Sequence, residues 1–510
     1  MRVLDCALSQ LRLLWKRPLA LFLPLQALLV SLNLGRLPVW TDELFTVQTA
    51  PQSLTRIIEI VRADIHPPLY FLLAHAWIQL PFPGDVLERI RLMSGVWTLA
   101  ATFLLDRLWL ARLRPERRFA ALALWCLSPA VVLYGRMGRS YLMQAALAVL
   151  AVALAWRFLR RPGVAKMLLS AGSALLLLYT HYLPGIAVSA AFAAGLLATA
   201  ARQRDPRRLR LLAAWGGLIV LGYLPWLLLM AGALRRWAAA SGFSSRYMLT
   251  GALLTEHAVK AGYALVSFTI GETFPVWALA VVPATAVLLA LSFRRAWTVS
   301  RGFVGLLIFA AALGYTGVAR WVSYPFMPAR LIWLLPFFLL WIALAPGAPR
   351  RVRAAVIGLL VVSDAVSLGF YYTGANFLNK TYRAPLREIA AQVRASSGSV
   401  LLVDRYNTDA GALLYYLPGR QSLELSRENE PLVRKQVADP AVRDIWIVRN
   451  THDVSPGGVA ARLEDAACRG KTRRLYQYLP YEPWERAAMR LAGIRNGPAF
   501  FYQATHCVAP

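Results

Sequence analysis

The chain has 510 residues, of which 58% are hydrophobic, and a formal net charge of +30; its mean hydropathy is +0.48. A soluble chain of this length carries far less apolar sequence, so the composition excludes a soluble globular protein. Lys and Arg enrichment in cytoplasmic loops accounts for the charge, and no nucleic-acid partner is expected.

The first segment, MRVLDCALSQLRLLWKRP, is basic and precedes an apolar run without a clear small-residue cleavage site. It reads as the lead-in to a retained first span, not a cleaved signal peptide. About 20 apolar residues cross a bilayer, and eleven spans are predicted: 18–37, 91–111, 119–135, 141–157, 166–181, 184–200, 210–231, 274–292, 302–319, 331–346 and 354–373. Six basic clusters separate them: Arg2/Arg12/Lys16/Arg17, 107–118, 157–166, 202–210, Arg294/Arg295/Arg301 and Arg350/Arg351/Arg353. The positive-inside rule puts all six in the cytoplasm. The connections 38–68, 134–141, 180–185, 231–274 and 320–330 then lie outside.

One segment resists that alternation. HPPLYFLLAHAWIQLPF (66–82) is apolar but short between its prolines, and a crossing there would invert every later loop. It reads as a re-entrant or juxtamembrane helix begun by Pro67 and Pro68, since proline is tolerated in a first helical turn. The alternative is a true crossing with another span miscounted. Residues 257–270 read as a second interfacial helix.

After about residue 375 the pattern changes. RAPLREIAAQVRASS, DAGALLYYL and GVAARLEDAACR read as helices; SVLLVDR, DIWIVRN, RRLYQYL and AFFYQA read as strands. Such alternation predicts a small α/β domain with a mainly parallel sheet. The expected organisation is a polytopic α-helical membrane domain over 1–375, with outer loops 38–68 and 231–274, and a periplasmic α/β domain over 376–510. The four cysteines form no CxxC pair. In an oxidising compartment Cys468 and Cys507 are free to pair, though nothing requires it.

The unusual polar groups fall on the outer connections. Asp42 and Glu43 follow the first span. They are either ordinary interfacial acids or a general base, which a weakly nucleophilic hydroxyl needs as its new bond forms. Asp64 and His66 flank the start of the HPP helix, as its N-cap or as site groups; two ligands are too few to infer a metal. YGRMGRSY carries Arg136, Arg139 and Tyr141. Arginines placed against the positive-inside bias call for an anionic partner, and a guanidinium grips phosphate in bidentate fashion; a headgroup contact or an ion pair with Asp42 or Asp64 is the alternative. His181 stands between Tyr179 and Tyr182 at the end of a span, where an interfacial histidine is the plain reading. Arg330 closes SYPFMPAR beside Arg320, as a second phosphate ligand or a snorkelling side chain. Nothing in the spacing of Glu256, His257, Lys260 and Glu272 is specific.

The order of these pieces carries a resemblance. A DE pair after the first span, D-x-HPPLYF closing the same loop, RSYLM, LYTHYLPG, YLPW and MPARLIWLLP follow one another. Over about residues 18–346 this resembles the bacterial glycosyltransferases of the superfamily C fold that use lipid-linked sugars, similar to the protein O-mannosyltransferases and the lipid A aminoarabinose transferases (family 39-like). YRAPLREIAAQVR and LLYYLPG in the outer domain are a weaker echo. The resemblance implies a transferase of the bacterial inner membrane acting on its outer face, with a polyprenyl-phosphate sugar as donor and a lipid, glycan or protein as acceptor. It implies Asp42 as the catalytic carboxylate with Glu43 beside it, His66 near the donor phosphate, and Arg139 and Tyr141 in an Arg-x-Tyr motif. Family members often have Arg–Tyr where this chain has Arg330 and Leu331, which leaves no tyrosine for that role. No cofactor is required, because the arginines supply positive charge; a divalent ion on Asp42, Glu43 and Asp64 is the alternative. A carrier or flippase of lipid-linked sugars is the rival reading. It would want polar groups at mid-span and symmetry between halves, and no internal repeat is present.

Overall fold

A bilayer demands that backbone groups be satisfied within each segment, and Leu- and Ala-rich runs meet that demand as helices. Each of the eleven predicted spans falls largely on helix in the computed structural model, which describes residues 17–240, 251–319, 322, 324–396, 399–403, 410–439, 441–450, 459–491 and 499–509. The basic N-terminal lead-in before residue 17, and Arg320, lie outside these residues. The chain divides into two units: one holds residues up to 34 together with 46–378, the other 35–45 together with 379 onward.

The first unit is helical. In order it contains α1 (Pro18–Ser31), α2 (Thr41–Thr49, through which the division passes), α3 (Leu54–Ala63), α4 (Leu69–Ile78), α5 (Val86–Leu105), α6 (Pro115–Leu127), α7 (Pro129–Gly135), α8 (Tyr141–Arg160), α9 (Val164–Thr180), α10 (Tyr182–Gln203) and α11 (Pro206–Ala240). Then come α12 (Gly251–Ile270), α13 (Val281–Ala319), α14 (Met327–Leu331), α15 (Leu335–Leu344) and α16 (Arg350–Thr373). Among the described residues six helices are long and apolar enough to cross a membrane, or seven if α6 and α7, bent by 51°, form one span. Large side chains such as Val220, Leu221 and Leu228 on α11 are exposed, as lipid-facing residues are. The helices α8 to α11 share a core that includes Phe158, Met167, Phe192 and Trp215. Small residues let others approach closely: a Cβ on Gly314 of α13 would stand 2.6 Å from the Trp333 ring.

Two stretches differ from expectation. The polar connection 38–68 is not an open loop, for α2 and α3 occupy most of it, and Ser53 caps α3 by accepting from the Arg56 N–H at 3.4 Å. The span predicted to end at 231 continues as helix to Ala240, whereas α12 covers the helix expected at 257–270; Ala, Leu and Arg favour helix in both. The helix α4 has ten residues, about 15 Å, which is too short to cross a bilayer of about 30 Å.

The second unit is built on a five-stranded sheet. Its elements after 379 are α17 (Leu386–Ala395), β1 (Val400–Val403), α18 (Ala410–Tyr415), β2 (Ser422–Glu424), α19 (Glu430–Val437), β3 (Asp444–Asn450), α20 (Val459–Ala467), β4 (Thr472–Pro480), α21 (Pro483–Leu491) and β5 (Phe500–Val508). The strand order is β2-β1-β3-β5-β4. β1 pairs parallel with β2 and β3, while β5 pairs antiparallel with both β3 and β4. Four strands therefore point one way and β5 runs against them. The chain between β4 and β5 is an excursion hung on a hairpin, since the Tyr481 N–H donates to the Ala499 carbonyl at 3.0 Å. Leu402, Ile445, Ile447, Val433 and Leu463 form the core of this unit. Cys468, just past α20, is disulfide-bonded to Cys507 on β5.

Candidate functional site

The turn after α3 ends that helix in an unusual way. The Ile65 N–H donates to the Arg62 carbonyl and the His66 N–H to the Val61 carbonyl, at 3.4 and 2.8 Å, the paired bonds of a Schellman motif. The left-handed residue of that motif is ordinarily glycine, but here it is Ile65, at φ 54°. A β-branched residue in that region is strained, at about 1–3 kcal/mol. Asp64 is thus the C-cap of α3, and Pro68 is the N-cap of α4 with no side-chain cap bond. Neither Asp64 nor His66 caps the helix that follows. The turn instead aims His66 sideways.

Arg139 receives it. Arg139 lies in the turn between α7 and α8, where its N–H donates to the Met137 carbonyl at 2.7 Å, and its own carbonyl accepts from Ser94 at 3.3 Å. The side chain is buried. One guanidinium nitrogen lies 3.2 Å from His66 Nε2 and another donates to Thr46 Oγ1 at 3.4 Å, with the Phe71 ring 5.9 Å away. A guanidinium only donates, so His66 Nε2 accepts and its proton sits on Nδ1. That nitrogen faces Asp64, 2.9 Å from the carboxylate and 3.0 Å from the carbonyl. Asp64, His66 and Arg139 form a continuous chain in which each group orients the next.

Two further predicted residues reach the same place. His181 occupies the break between α9 and α10, where its Nδ1 accepts from the Leu183 N–H at 3.2 Å. Burial, then the nearby positive charge of Arg330, then His66 and Arg139, hold its imidazole well below the usual histidine range. It is a neutral ring within electrostatic reach of three basic side chains. Arg330 is half-buried near the end of α14. Tyr141 is buried at the start of α8, edge-on to Tyr134 with ring centroids 5.6 Å apart.

Arg136 does not join them. Its guanidinium donates to the carbonyls of Leu29, Leu32 and Asn33 and lies over the Tyr371 and Tyr372 rings. The last turn of α1 contains no basic residue, and Arg136 supplies the cation that a helix C-terminus favours. This is a structural role, in place of the phosphate contact expected from its motif. Asp42 and Glu43 stand in the first turn of α2, where acids complement the helix dipole, and they group with the second unit. There the Val39 N–H donates to the Tyr416 hydroxyl at 2.7 Å, and the rings of Trp40 and Tyr382 meet edge-on at 5.4 Å. Glu43 is buried and Asp42 half-buried. Among the described residues no group of three or more His, Cys, Asp or Glu is placed to hold a metal ion.

One residue of note has no sequence motif. Glu272 is buried, and its carboxylate accepts from Tyr134 at 3.0 Å, Ser267 at 2.9 Å and Tyr263 at 2.6 Å. Burial pushes its carboxyl up to about 7 against those three donors. Gly271 sets it in place: its φ is +83°, and a Cβ there would lie 2.5 Å from Pro129. Glu272 thereby ties the Tyr134–Tyr141 pair to α12.

No family model matches the sequence, and no curated protein matches it. Solved structures do. The crystal structure of ArnT from Cupriavidus metallidurans in the apo state aligns over 98% of this chain and 98% of that one, with a TM-score of 0.51 and 13% identity. The fold is that of ArnT. The shared fold takes in both units, since the alignment with ArnT omits only 2% of either chain. ArnT bound to undecaprenyl phosphate aligns over 96% and 97%, at TM-score 0.49 and 14% identity. An Archaeoglobus fulgidus oligosaccharyltransferase in complex with Zn and sulfate aligns over 91% and 72%, at TM-score 0.48 and 12% identity.

Proposed function

We propose that the chain is an inverting membrane glycosyltransferase that moves a sugar from a polyprenyl-phosphate donor to an acceptor hydroxyl on the outer face of the inner membrane. The observation that carries this reading is the convergence of His66, Arg139, His181 and Arg330, from four separate segments, on one place in a chain with the ArnT fold. Guanidinium groups suit a phosphate, and a fixed cluster of positive groups stabilises charge that develops on a leaving phosphate.

The acceptor oxygen attacks the anomeric carbon of the donor sugar. The bond from that carbon to the phosphate oxygen breaks, and its electron pair stays on the phosphate. Arg139, with Arg330, neutralises that charge, and His66, set by Asp64, holds the Arg139 fork in register. Asp42 takes the acceptor proton, and Glu43 stands beside it. The Cys468–Cys507 disulfide supports an outer, oxidising location for the second unit, in line with the basic clusters lying on the other side.

The test is sugar transfer by the purified full chain from a panel of polyprenyl-phosphate donors, with Asp42→Asn beside the wild type. The wild type is expected to transfer and the variant to be slower by about 100-fold or more, as for loss of a positioned base. Equal rates in the two would remove Asp42 as the base. A wild type inactive with every donor, yet moving a labelled lipid-linked sugar between leaflets, would favour the carrier reading.

A further inference from the structure

The far end of α8 holds a cavity that the proposed transfer does not use. Arg139 and Tyr141 lie at the start of this 20-residue helix. Its other end is about 30 Å away, and there a cavity of about 520 Å³ is lined by Arg107, Arg112, Arg157, Arg160, Arg161 and Lys166. No acidic side chain lines it. Lys166 Nζ donates to the Arg161 carbonyl at 3.0 Å, folding the α8–α9 turn around the cavity.

Local structure gathers these cations, all six of them exposed, around one opening. Residues Asp106–Leu110 form one turn of π-helix at the end of α5, a feature common at functional sites. Asp106, the acid of that turn, is buried and paired in two hydrogen bonds with Arg118, at 2.6 and 2.8 Å. It is therefore spent, and Arg107, Trp109 and Arg112 contribute to the cavity wall. Trp109 is fixed by its indole N–H, which donates to the Val149 carbonyl at 3.2 Å.

The cavity has an apolar neighbour. Trp156 lines both it and a narrow cleft of about 40 Å³ walled by Phe192, Phe303, Leu306 and Trp333 among others. The Phe303 ring sits 5.1 Å from Trp156 and 5.4 Å from Trp109. A polar cationic bowl that shares Trp156 as a wall with an apolar cleft matches an amphiphile whose head is anionic and whose tail is an acyl chain. Six cations exceed what one phosphodiester neutralises, so a head with two phosphates fits best.

We propose that this cavity is a binding site for a two-phosphate phospholipid of the cardiolipin type, with its head among the arginines and one acyl chain against Trp156 and Phe303. The site is separate from the donor site and stands whether or not the transfer reading does.

The test is native mass spectrometry of the detergent-purified full chain, titrated with cardiolipin, phosphatidylglycerol or phosphatidylcholine. Cardiolipin adducts are expected at about tenfold lower concentration than phosphatidylcholine adducts, and Arg157→Ala/Arg160→Ala/Arg161→Ala is expected to abolish that preference. Arg350→Ala/Arg351→Ala, in a basic cluster outside this cavity, is expected to keep it. Equal binding of cardiolipin and phosphatidylcholine would overturn the site, as would equal loss in the two variants. Displacement of cardiolipin by an equal concentration of inorganic pyrophosphate would make it a soluble-anion site and overturn the lipid assignment. If the triple variant does not fold, Arg107→Ala and Lys166→Ala, each exposed, are to be tested singly. Each is expected to weaken cardiolipin binding severalfold, and no change in either would overturn the proposal.

Discussion

Arg136 and Arg139 leave the same turn, three residues apart, and serve different regions of the helical unit. Arg136 points to the end of α1 and is absorbed by three backbone carbonyls and two tyrosine rings. Arg139 points to the turn after α3, where its guanidinium meets the side chains of His66 and Thr46. Both are buried. What separates them is the acceptor: Arg136 is held by carbonyls at a helix end, whereas Arg139 meets an imidazole that a carboxylate orients. Position on a connection predicted to lie outside does not distinguish the two; the partner does.

The sharpest way to break that contrast is to remove each arginine in turn. Arg139→Ala is expected to lower kcat/KM for transfer by about 100- to 1000-fold, the loss typical of one preorganised charge donor, while the folded protein elutes and melts as the wild type does. Arg139→Lys should recover part of the rate, because a point charge replaces the fork. A melting temperature that fell as far as the rate would move Arg139 to the structural side.

Arg136→Ala is expected to do the reverse. Leaving the carbonyls of Leu29, Leu32 and Asn33 without their donor costs about 3 kcal/mol of stability, read as a lower melting temperature in detergent. The rate per folded molecule should stay within about twofold of the wild type, an effect under 0.5 kcal/mol. A rate loss equal to that of Arg139→Ala would erase the distinction.

The sequence carries this contrast only in part. His66, Arg139, His181 and Arg330 stand out because each interrupts or borders an apolar run on one side of the charge map, and the structure brings these four together. Arg136 shares that signal and differs in fate. Its clue is the lack of a basic residue in the last turn of α1, a need that points to no particular arginine. Glu272 carries no specific signal in the sequence because its donors are Tyr134, Tyr263 and Ser267, hydroxyls that make no motif. Its one local sign is the glycine before it, forced by a positive φ and by Pro129. In the second unit the longer strands are legible from β-branched and aromatic runs, whereas β2 has three residues, too few for any period. The grouping of Asp42 with that unit rests on tertiary contacts such as Val39 to Tyr416, 377 residues apart, and no local pattern encodes them.

Glu272 offers a smaller test, on the Tyr134–Tyr141 side of the same turn. Its carboxyl is raised to about 7 from an ordinary 4.5, so the folded state binds more protons than the unfolded state between those values. Stability from this group is therefore full below about pH 4.5 and is lost as pH rises through about 7. The wild type is expected to melt at progressively lower temperature from pH 5 to pH 8, relative to Glu272→Gln, whose side chain does not titrate. Parallel melting curves for the two proteins would mean that the three hydroxyls keep the carboxylate charged throughout.

The smallest expected effect concerns the strain that aims His66. Ile65→Gly removes a β-branched side chain from a left-handed position and should gain about 1 kcal/mol from the backbone, offset in part by the greater freedom of glycine in the unfolded chain. The melting temperature is thus expected to stay level or rise by a few degrees. Activity separates two accounts of the strain. If the isoleucine stiffens the turn so that His66 Nε2 keeps its 3.2 Å contact with Arg139, the glycine variant loses rate severalfold despite its stability, because a loosened fork spends part of its time away from the phosphate. If the Schellman bonds alone fix the turn, the rate is unchanged and the strain is incidental. A stable but slower Ile65→Gly protein would place the functional side of the contrast in the backbone of this turn as well as in the side chains it presents.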